Sequence, residues 1–370
     1  MNNFSMKELK IGRLTARLPI IQGGMGVGVS LSGLAAAVAN QGGIGVISAA
    51  GIGMSESDYH ANYIEANIRA LRNEIRKARE KTKGILGVNI MVAMSNFEDM
   101  VRTAIEEGID IIFSGAGLPL SLPKFLKDTV KTKLVPIVSS GRAAKLIARR
   151  WLDKFNYTPD AIVVEGPKAG GHLGYKRDQL EDPAFTLENI VSDVINEMKP
   201  FAEARHKPIP VIAAGGIYTG EDIYKIMELG AAGVQMATRF VTTDECDASA
   251  EFKNTYIEAT KEDISIIDSP VGMPGRAINN QYLRDVKAGL KKPYACPYHC
   301  IVTCDEKNTP YCISLALINA KKGHMKHGFA FAGENAYRCE KIVPVRKVFA
   351  EMKQEYKDAA AAGRERSHEL

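Results

Sequence analysis

Short apolar runs alternate along the chain with longer segments whose apolar positions recur every three or four residues. The runs are 19–22, 44–48, 85–91, 109–113, 134–138, 161–164, 209–213 and 233–237. Most are apolar throughout rather than alternating, the signature of strands buried on both faces of a parallel sheet. Between them, Leu31, Leu34, Ala35, Val38 and Ala39 form one helical stripe. Ile64, Ile68, Leu71, Ile75 and Ala78 form a second on a more charged background. Leu187, Ile190, Val191, Val194, Ile195 and Met198 form a third. Eight strand–helix units in about 260 residues predict an α/β protein with a closed (β/α)8 TIM barrel. An open doubly wound sheet shares the local pattern, and the count of eight favours the barrel.

From Ile264 the alternation stops. A Pro/Gly loop over 269–276 and a cysteine-rich stretch follow, then a last helical segment from Val345. The expected organisation is a barrel over 1–263 and a C-terminal cysteine-rich cap or lid over 264–370 packed on it.

Charge and composition narrow the function classes. The 370 residues carry 48 Lys+Arg against 43 Asp+Glu, a net charge of +5. That mild excess, spread over the whole chain, predicts neither nucleic-acid nor membrane binding. At 45% hydrophobic and 25% charged residues, the chain has globular proportions, which exclude wholesale disorder. Residues 18–55 carry no charge, but glycines and Asn40-Gln41-Gly42-Gly43 interrupt them. They fall short of the ~20 continuous apolar residues that span a bilayer. Residues 1–13 lack the apolar core of a signal peptide, so the expectation is a soluble, cytoplasmic protein.

Barrels place their chemistry at the C-terminal ends of the strands, often with a phosphate near strands seven and eight. Here strand seven runs into Ala213-Ala214-Gly215-Gly216-Ile217, and strand eight is Gly233 to Ala237 followed by Thr238-Arg239. Glycines let backbone N–H groups approach a phosphate without a Cβ in the way. Thr219-Gly220-Glu221-Asp222 reads as a capping box, and the helix it opens adds a favourable dipole. The pair of loops points to a phosphate-bearing cofactor. After strand six, Glu165-Gly166-Pro167-Lys168-Ala169-Gly170-Gly171-His172 places one histidine among glycines, suited to proton transfer at neutral pH.

Taken in order, Pro19 to Met25, Gly87-Val88-Asn89, Ala169 to His172, Ala214 to Ile217 and Gly233 to Phe240 resemble the nitronate monooxygenase (2-nitropropane dioxygenase-like) family. That family includes flavin-dependent type II enoyl-acyl-carrier-protein reductases. The resemblance runs from about Pro19 to Phe240 and resumes over 328–338. It implies an FMN-binding barrel in which Gly23, Gly24, Met25 and Asn89 line the isoalloxazine, with Glu165 in the same cofactor set. Gly170 and Gly171 approach the cofactor, and Gly215, Gly216, Gln235, Met236, Ala237 and Thr238 cradle its phosphate. His172 matches the family's catalytic histidine.

The resemblance implies oxidation of an alkyl nitronate with O2 as the first expectation. The alternative is an NAD(P)H-dependent enoyl-thioester reductase, and a third is a non-catalytic flavin or metal redox sensor. The substrate is expected to be a small molecule in either enzymatic case. One departure stands out: the family usually carries an acidic residue where Lys168 stands, a change of two charge units beside the flavin.

Cys296, Cys300, Cys304 and Cys312 fall within seventeen residues. On a helix, steps of four advance about 400°, so the first three sulfurs would share one face. Pro297 suits the first turn of such a helix, and Cys312 can fold back as a fourth thiolate. Clustered cysteines without an export signal suggest metal, with a [4Fe–4S] cluster and a structural Zn2+ as candidates. The other reading is cysteine packed as a small apolar residue. Arg276, in Gly272-Met273-Pro274-Gly275-Arg276, reads as an exposed cation on a substrate lid or a plain surface turn. Lys321, Lys322, His324, Lys326 and His327 form a basic patch that suits the NADPH phosphate or an acidic carrier.

Overall fold

The computed structural model describes residues 5–127, 129–291, 296 and 298–368. β1 (Leu9–Ile11) and β2 (Leu14–Ala16) form an antiparallel hairpin ahead of the barrel. The barrel strands begin with β3 (Ile20–Gln22), β4 (Gly45–Ser48), β5 (Leu86–Met91), β6 (Ile111–Gly115), β7 (Lys133–Val138) and β8 (Ile162–Glu165). A two-residue strand, β9 (Gly171–His172), intervenes before β10 (Val211–Ala214) and β11 (Gly233–Met236) complete the set. The eight pair in parallel in the order β3-β11-β10-β8-β7-β6-β5-β4. A parallel bridge between Ile21 and Ile44 brings the two ends together.

Each apolar run of the sequence is one of these strands, because a strand inside a barrel has no solvent face. Ile21, Val46, Phe113, Val135, Val163 and Ile212 point inward and fill the interior. Leu9, Ile11 and Ala16 of the hairpin pack into the same cluster, and Leu9 reaches Gly233 at the start of β11. The hairpin therefore plugs the N-terminal end and leaves the C-terminal end for chemistry.

The outer ring is α1 (Ser32–Asn40), α2 (Tyr63–Lys81), α3 (Phe97–Glu106), α4 (Gly141–Phe155), α5 (Leu187–Arg205) and α6 (Gly220–Glu228). The short α7 (Thr238–Val241) and α8 (Ala250–Glu258) follow β11. Close seating requires glycine: a Cβ on Gly45 would lie 1.8 Å from the Ala35 carbonyl oxygen of α1. The fourth unit departs from the expected strand–helix pattern. Among the described residues, only a 3-10 turn at Leu122–Phe125 follows β6, where Pro119 and Pro123 oppose a regular helix.

Beyond the barrel strands, β12 (Ile264–Asp268) and β13 (Pro274–Ile278) form a hairpin whose second strand pairs with β9. α9 (Gln281–Lys287) and α10 (Ile313–Lys321) lie above, and α11 (Val345–His368) packs against α6 and α1 in the outer ring. The cysteine stretch is not the helix that its spacing predicts. Ile301 bridges Met94 in antiparallel sense, Val302 N–H donates to the Ala93 carbonyl at 2.9 Å, and His299 holds φ 46°. Backbone groups that a helix would pair internally pair with the β5–α3 loop instead. Pro297 lies outside the described residues. Among those residues no helix is long and apolar enough to cross a membrane.

Candidate active site

At the C-terminal ends of the strands the barrel opens into a cavity of about 520 Å3. The loop after β3 supplies Gly23, Gly24 and Met25; β5 supplies Asn89; β8 and its loop supply Glu165, Gly170, Gly171 and His172. Gly215 and Gly216 follow β10, while Gln235, Met236, Ala237 and Thr238 come from β11 and the start of α7. The structure thus brings every cofactor and catalytic candidate of the sequence reading to one wall system.

The glycines have identifiable reasons. Gly215 and Gly216 hold φ of 92° and 83°, a region closed to ordinary side chains, and a Cβ on Gly216 would press the Lys168 side chain at 3.0 Å. The Gly216 carbonyl accepts from Asn335 Nδ2 at 2.7 Å, which fixes the loop from the cap side. A Cβ on Gly24 would lie 2.4 Å from Asn89 Cβ, so Asn89 can reach the cavity only past a glycine. The fully buried Gln22 donates to the Gly23 carbonyl and accepts from Val46 N–H, anchoring this loop to β4.

The N-terminus of α6 is engaged elsewhere. Its Gly220 N–H donates to the Glu355 carboxylate at 2.7 Å, and Asp222 takes the N–H groups of Tyr218 and Thr219 at 2.9 Å. The capping box expected from the sequence is present, but the N–H groups it presents meet carboxylates rather than a ligand. On this side the Gly215-Gly216 turn and the residues after β11 line the cavity.

His172 is fixed from the cap. Its Nε2 lies 2.7 Å from Ser269 Oγ, on the turn joining β12 to β13, and its ring meets Phe331 edge-on at 4.9 Å. Burial presses its pKa down from 6.5 to about 4, so the imidazole is neutral at physiological pH. Glu165 moves the other way: desolvation raises its carboxyl from 4.5 to about 7. A neutral imidazole and a half-protonated carboxyl therefore share one cavity near pH 7.

Arg276 is neither a lid cation nor a surface residue: it is 7% exposed. Its Nη1 donates to the carbonyls of Pro167 and Ala169 at 2.5 and 2.9 Å, holding the histidine loop in shape. Strand pairing reinforces this, with Gly275 opposite His172 and Arg276 opposite Gly171. Lys168 meets Glu334 at 3.1 Å, so its unusual positive charge is compensated by a carboxylate from the 328–338 segment. Phe331, Ala332 and Gly333 of that segment line the cavity.

Sequence reasoning missed Ser269, which is 97 residues from His172 and carries no motif. It also missed the wall formed by Tyr59, Tyr63, Met91, Met94, Ile313 and Leu317. Val27 and Ala116, at φ 50° and 51°, hold strained backbone at the same cavity, which no local sequence pattern announces.

The cysteines divide into two groups, and all six are free thiols. Cys246 and Cys339 are buried singly. Cys296, Cys300, Cys304 and Cys312 line one small cavity of about 30 Å3, together with His299 and Glu306. Among the described residues, no three His, Cys, Asp or Glu groups converge on a point as the ligands of one metal ion do.

The residues present fit an FMN. The cavity volume lies within the roughly 300–1,000 Å3 of cofactor sites, and its base is a glycine cradle at the ends of strands seven and eight. A family model described as nitronate monooxygenase matches residues 7–355. A probable nitronate monooxygenase from Staphylococcus saprophyticus is 24% identical over 299 residues, covering 74% of this chain and 78% of that protein. A (3aS,4S,5R,7aS)-5-hydroxy-7a-methyl-1-oxo-octahydro-1H-indene-4-carboxyl-CoA dehydrogenase from Rhodococcus jostii is 27% identical over 269 residues, covering 73% of this chain and 65% of that protein. Among solved structures, FabK from Thermotoga maritima superposes with a TM-score of 0.71 at 28% identity, covering 94% of each chain.

Proposed function

The chain belongs to the nitronate monooxygenase family and is an oxidoreductase, and from that premise we propose that it is an FMN-dependent reductase of an uncharged, elongated acyl substrate of the enoyl-thioester class. The observation that carries this reading is the character of the cavity wall. Among the described lining residues, Lys168 is the single permanent cation, and Glu334 already pairs with it. Arg276 is not among the lining residues and turns Nη1 to two backbone carbonyls, and burial keeps His172 neutral. An anionic nitronate gains no unpaired cation here. Tyr59, Met91, Met94, Met273, Ile313 and Leu317 offer an apolar surface suited to an acyl chain.

In this scheme Gly215, Gly216 and Gln235 to Thr238 would hold the FMN phosphate. Gly23, Gly24, Met25, Asn89, Glu165, Gly170 and Gly171 would surround the ring. When bound, the flavin supplies the redox step, with NAD(P)H as the source of reducing equivalents. His172, pinned through Nε2 by Ser269, orients the substrate carbonyl by hydrogen bonding without adding charge. Glu165, titrating near 7, holds a proton at the cavity base through much of the neutral range. The cap hairpin and Phe331 screen the imidazole from water.

The relatives support both chemistries that the family spans. The Rhodococcus relative is named for a carboxyl-CoA substrate, in line with a thioester. The name of the Staphylococcus relative favours a second reading, oxidation of an alkyl nitronate with O2. Parallel assays on purified protein separate the two. NAD(P)H consumption accelerated by an enoyl thioester is expected, with His172→Asn lowering kcat while flavin stays bound. Rapid O2 uptake with an alkyl nitronate, and no response to the thioester, would replace the first reading by the second.

A further inference from the structure

The four clustered cysteines belong to no step of the proposed reaction, yet they sit beside its cavity. Cys300, Ile301, Ile313 and Ser314 line both the large cavity and the small one. The cysteine loop is tied to the barrel rather than hanging in solvent. Ser95 N–H donates to the Cys300 carbonyl at 3.2 Å, Ile301 bridges Met94, and Cys300 Sγ lies 3.2 Å from Ser314 Oγ. Cys312 caps α10, which places its sulfur at the positive end of a nine-residue helix. A Glu306 carboxylate oxygen is buried at the same cavity without a hydrogen-bond partner. His299 Nδ1 approaches that oxygen at 3.8 Å, and four sulfurs around one void form a donor set for a thiophilic metal centre.

Ligand convergence separates the candidate cores. A single zinc ion draws four ligands to about 2.3 Å from one point, and no three candidate ligands among the described residues converge in that way. A cluster of irons and sulfides spreads its four thiolates around a body wider than one ion, which matches sulfurs that share a cavity without meeting.

We propose that Cys296, Cys300, Cys304 and Cys312 ligate a [4Fe–4S] cluster in the wall of the active-site cavity, and that it exchanges single electrons with the flavin. Each passage oxidises the cluster by one electron and reduces the flavin by one. Two passages, with two protons from solvent, complete the flavin's reduction. The electrons come from an external one-electron carrier, a second donor to the flavin beside NAD(P)H. The cluster stands independently of the functional reading, whereas the electron transfer rests on the bound flavin.

The test is anaerobic purification of the full-length protein, reconstitution with ferrous iron and sulfide, and analysis of iron, sulfide, zinc and flavin on one sample. About four irons and four sulfides per chain are expected, with an electron paramagnetic resonance signal on reduction by dithionite. Cys296→Ser and Cys304→Ser, whose side chains do not line the large cavity, should lose that iron and keep the flavin spectrum. In stopped flow, reduced viologen should reduce the flavin at least tenfold faster in wild type than in Cys304→Ser. One zinc per chain, no metal after reconstitution, or full iron retention in both variants would overturn the assignment. Iron present with equal viologen rates would overturn the electron-transfer role while the cluster stands. Absence of flavin with iron present would count against the flavin reading and the electron transfer, and not against the cluster.

Discussion

Replacing Glu165 by glutamine removes the one carboxyl that burial holds near neutrality at the base of the cavity. A carboxyl moved from 4.5 to about 7 carries about 3 kcal/mol of pH-dependent stability at about 1.4 kcal/mol per pH unit. Below pH 4.5 folded and unfolded chains both hold the proton, and this group contributes its full share. Between 4.5 and about 7 the unfolded chain has released the proton and the folded chain has not, so stability falls as pH rises. Above about 7 the loss is complete.

His172 has the opposite slope. Its folded pKa of about 4 against 6.5 means that the unfolded chain takes up the proton first, so stability falls as pH drops through that window. Over the shared range the two slopes oppose, and Glu165→Gln uncovers the histidine's. Urea unfolding of flavin-free protein, followed by circular dichroism at several pH values, measures both. Other titrating groups are common to the two proteins and cancel in the difference. The variant should gain stability relative to wild type between pH 4.5 and 8, by about 3 kcal/mol. A difference that stays constant across this range would refute the assignment of a desolvated carboxyl at Glu165.

Arg276→Met keeps the stem of the side chain and leaves the Pro167 and Ala169 carbonyls without their donor. About 2–5 kcal/mol of stability should be lost, with FMN binding weakened. Unchanged melting and flavin affinity would mean that the guanidinium does not hold the histidine loop. Gly170→Ala should weaken flavin binding at least tenfold, because its Cβ would lie 2.5 Å from the Gly333 backbone nitrogen and force two walls apart. Gly171→Ala meets no atom within 4 Å and faces only the φ of 79°, about 1–2 kcal/mol. Flavin titration and thermal melting of the pair check this, and equal flavin losses would count against the contact.

The barrel was legible because its signal is local and repeated. A strand enclosed on both faces reads as an unbroken apolar run, and each run, from Ile20–Gln22 to Gly233–Met236, is such a strand. What the period concealed was the exception after β6. Leu118, Leu120, Leu122 and Leu126 keep an apolar rhythm there, but Pro119 and Pro123 restrict the backbone to one 3-10 turn. The place of α11 was not legible either. A terminal amphipathic helix declares an apolar face without declaring its partner, and contact with α6 and α1 settles it only in three dimensions.

The site divides along the same line between local and distant information. Gly170, Gly171 and His172 announce themselves because a close approach to the Gly333 backbone and a φ of 79° exclude side chains at two consecutive positions. Ser269 and Arg276 act on that loop through a hairpin about a hundred residues downstream, and nothing in their own neighbourhood distinguishes them from a surface turn. The cysteines show the converse error. Their spacing of four suggested a helix face, yet Met94 and Ala93 capture the backbone of Ile301 and Val302. The four thiols still line one cavity, because the loop and the N-terminus of α10 border it. Fixed spacing along a chain brings side chains to one cavity through more than one backbone path, so the shared cavity does not depend on the helix. The same holds for Lys168: an ammonium at a usually acidic position reads as a disruption until Glu334, 166 positions on, supplies the missing carboxylate. Charge balance at this cavity is therefore a property of the barrel and the segments above it together.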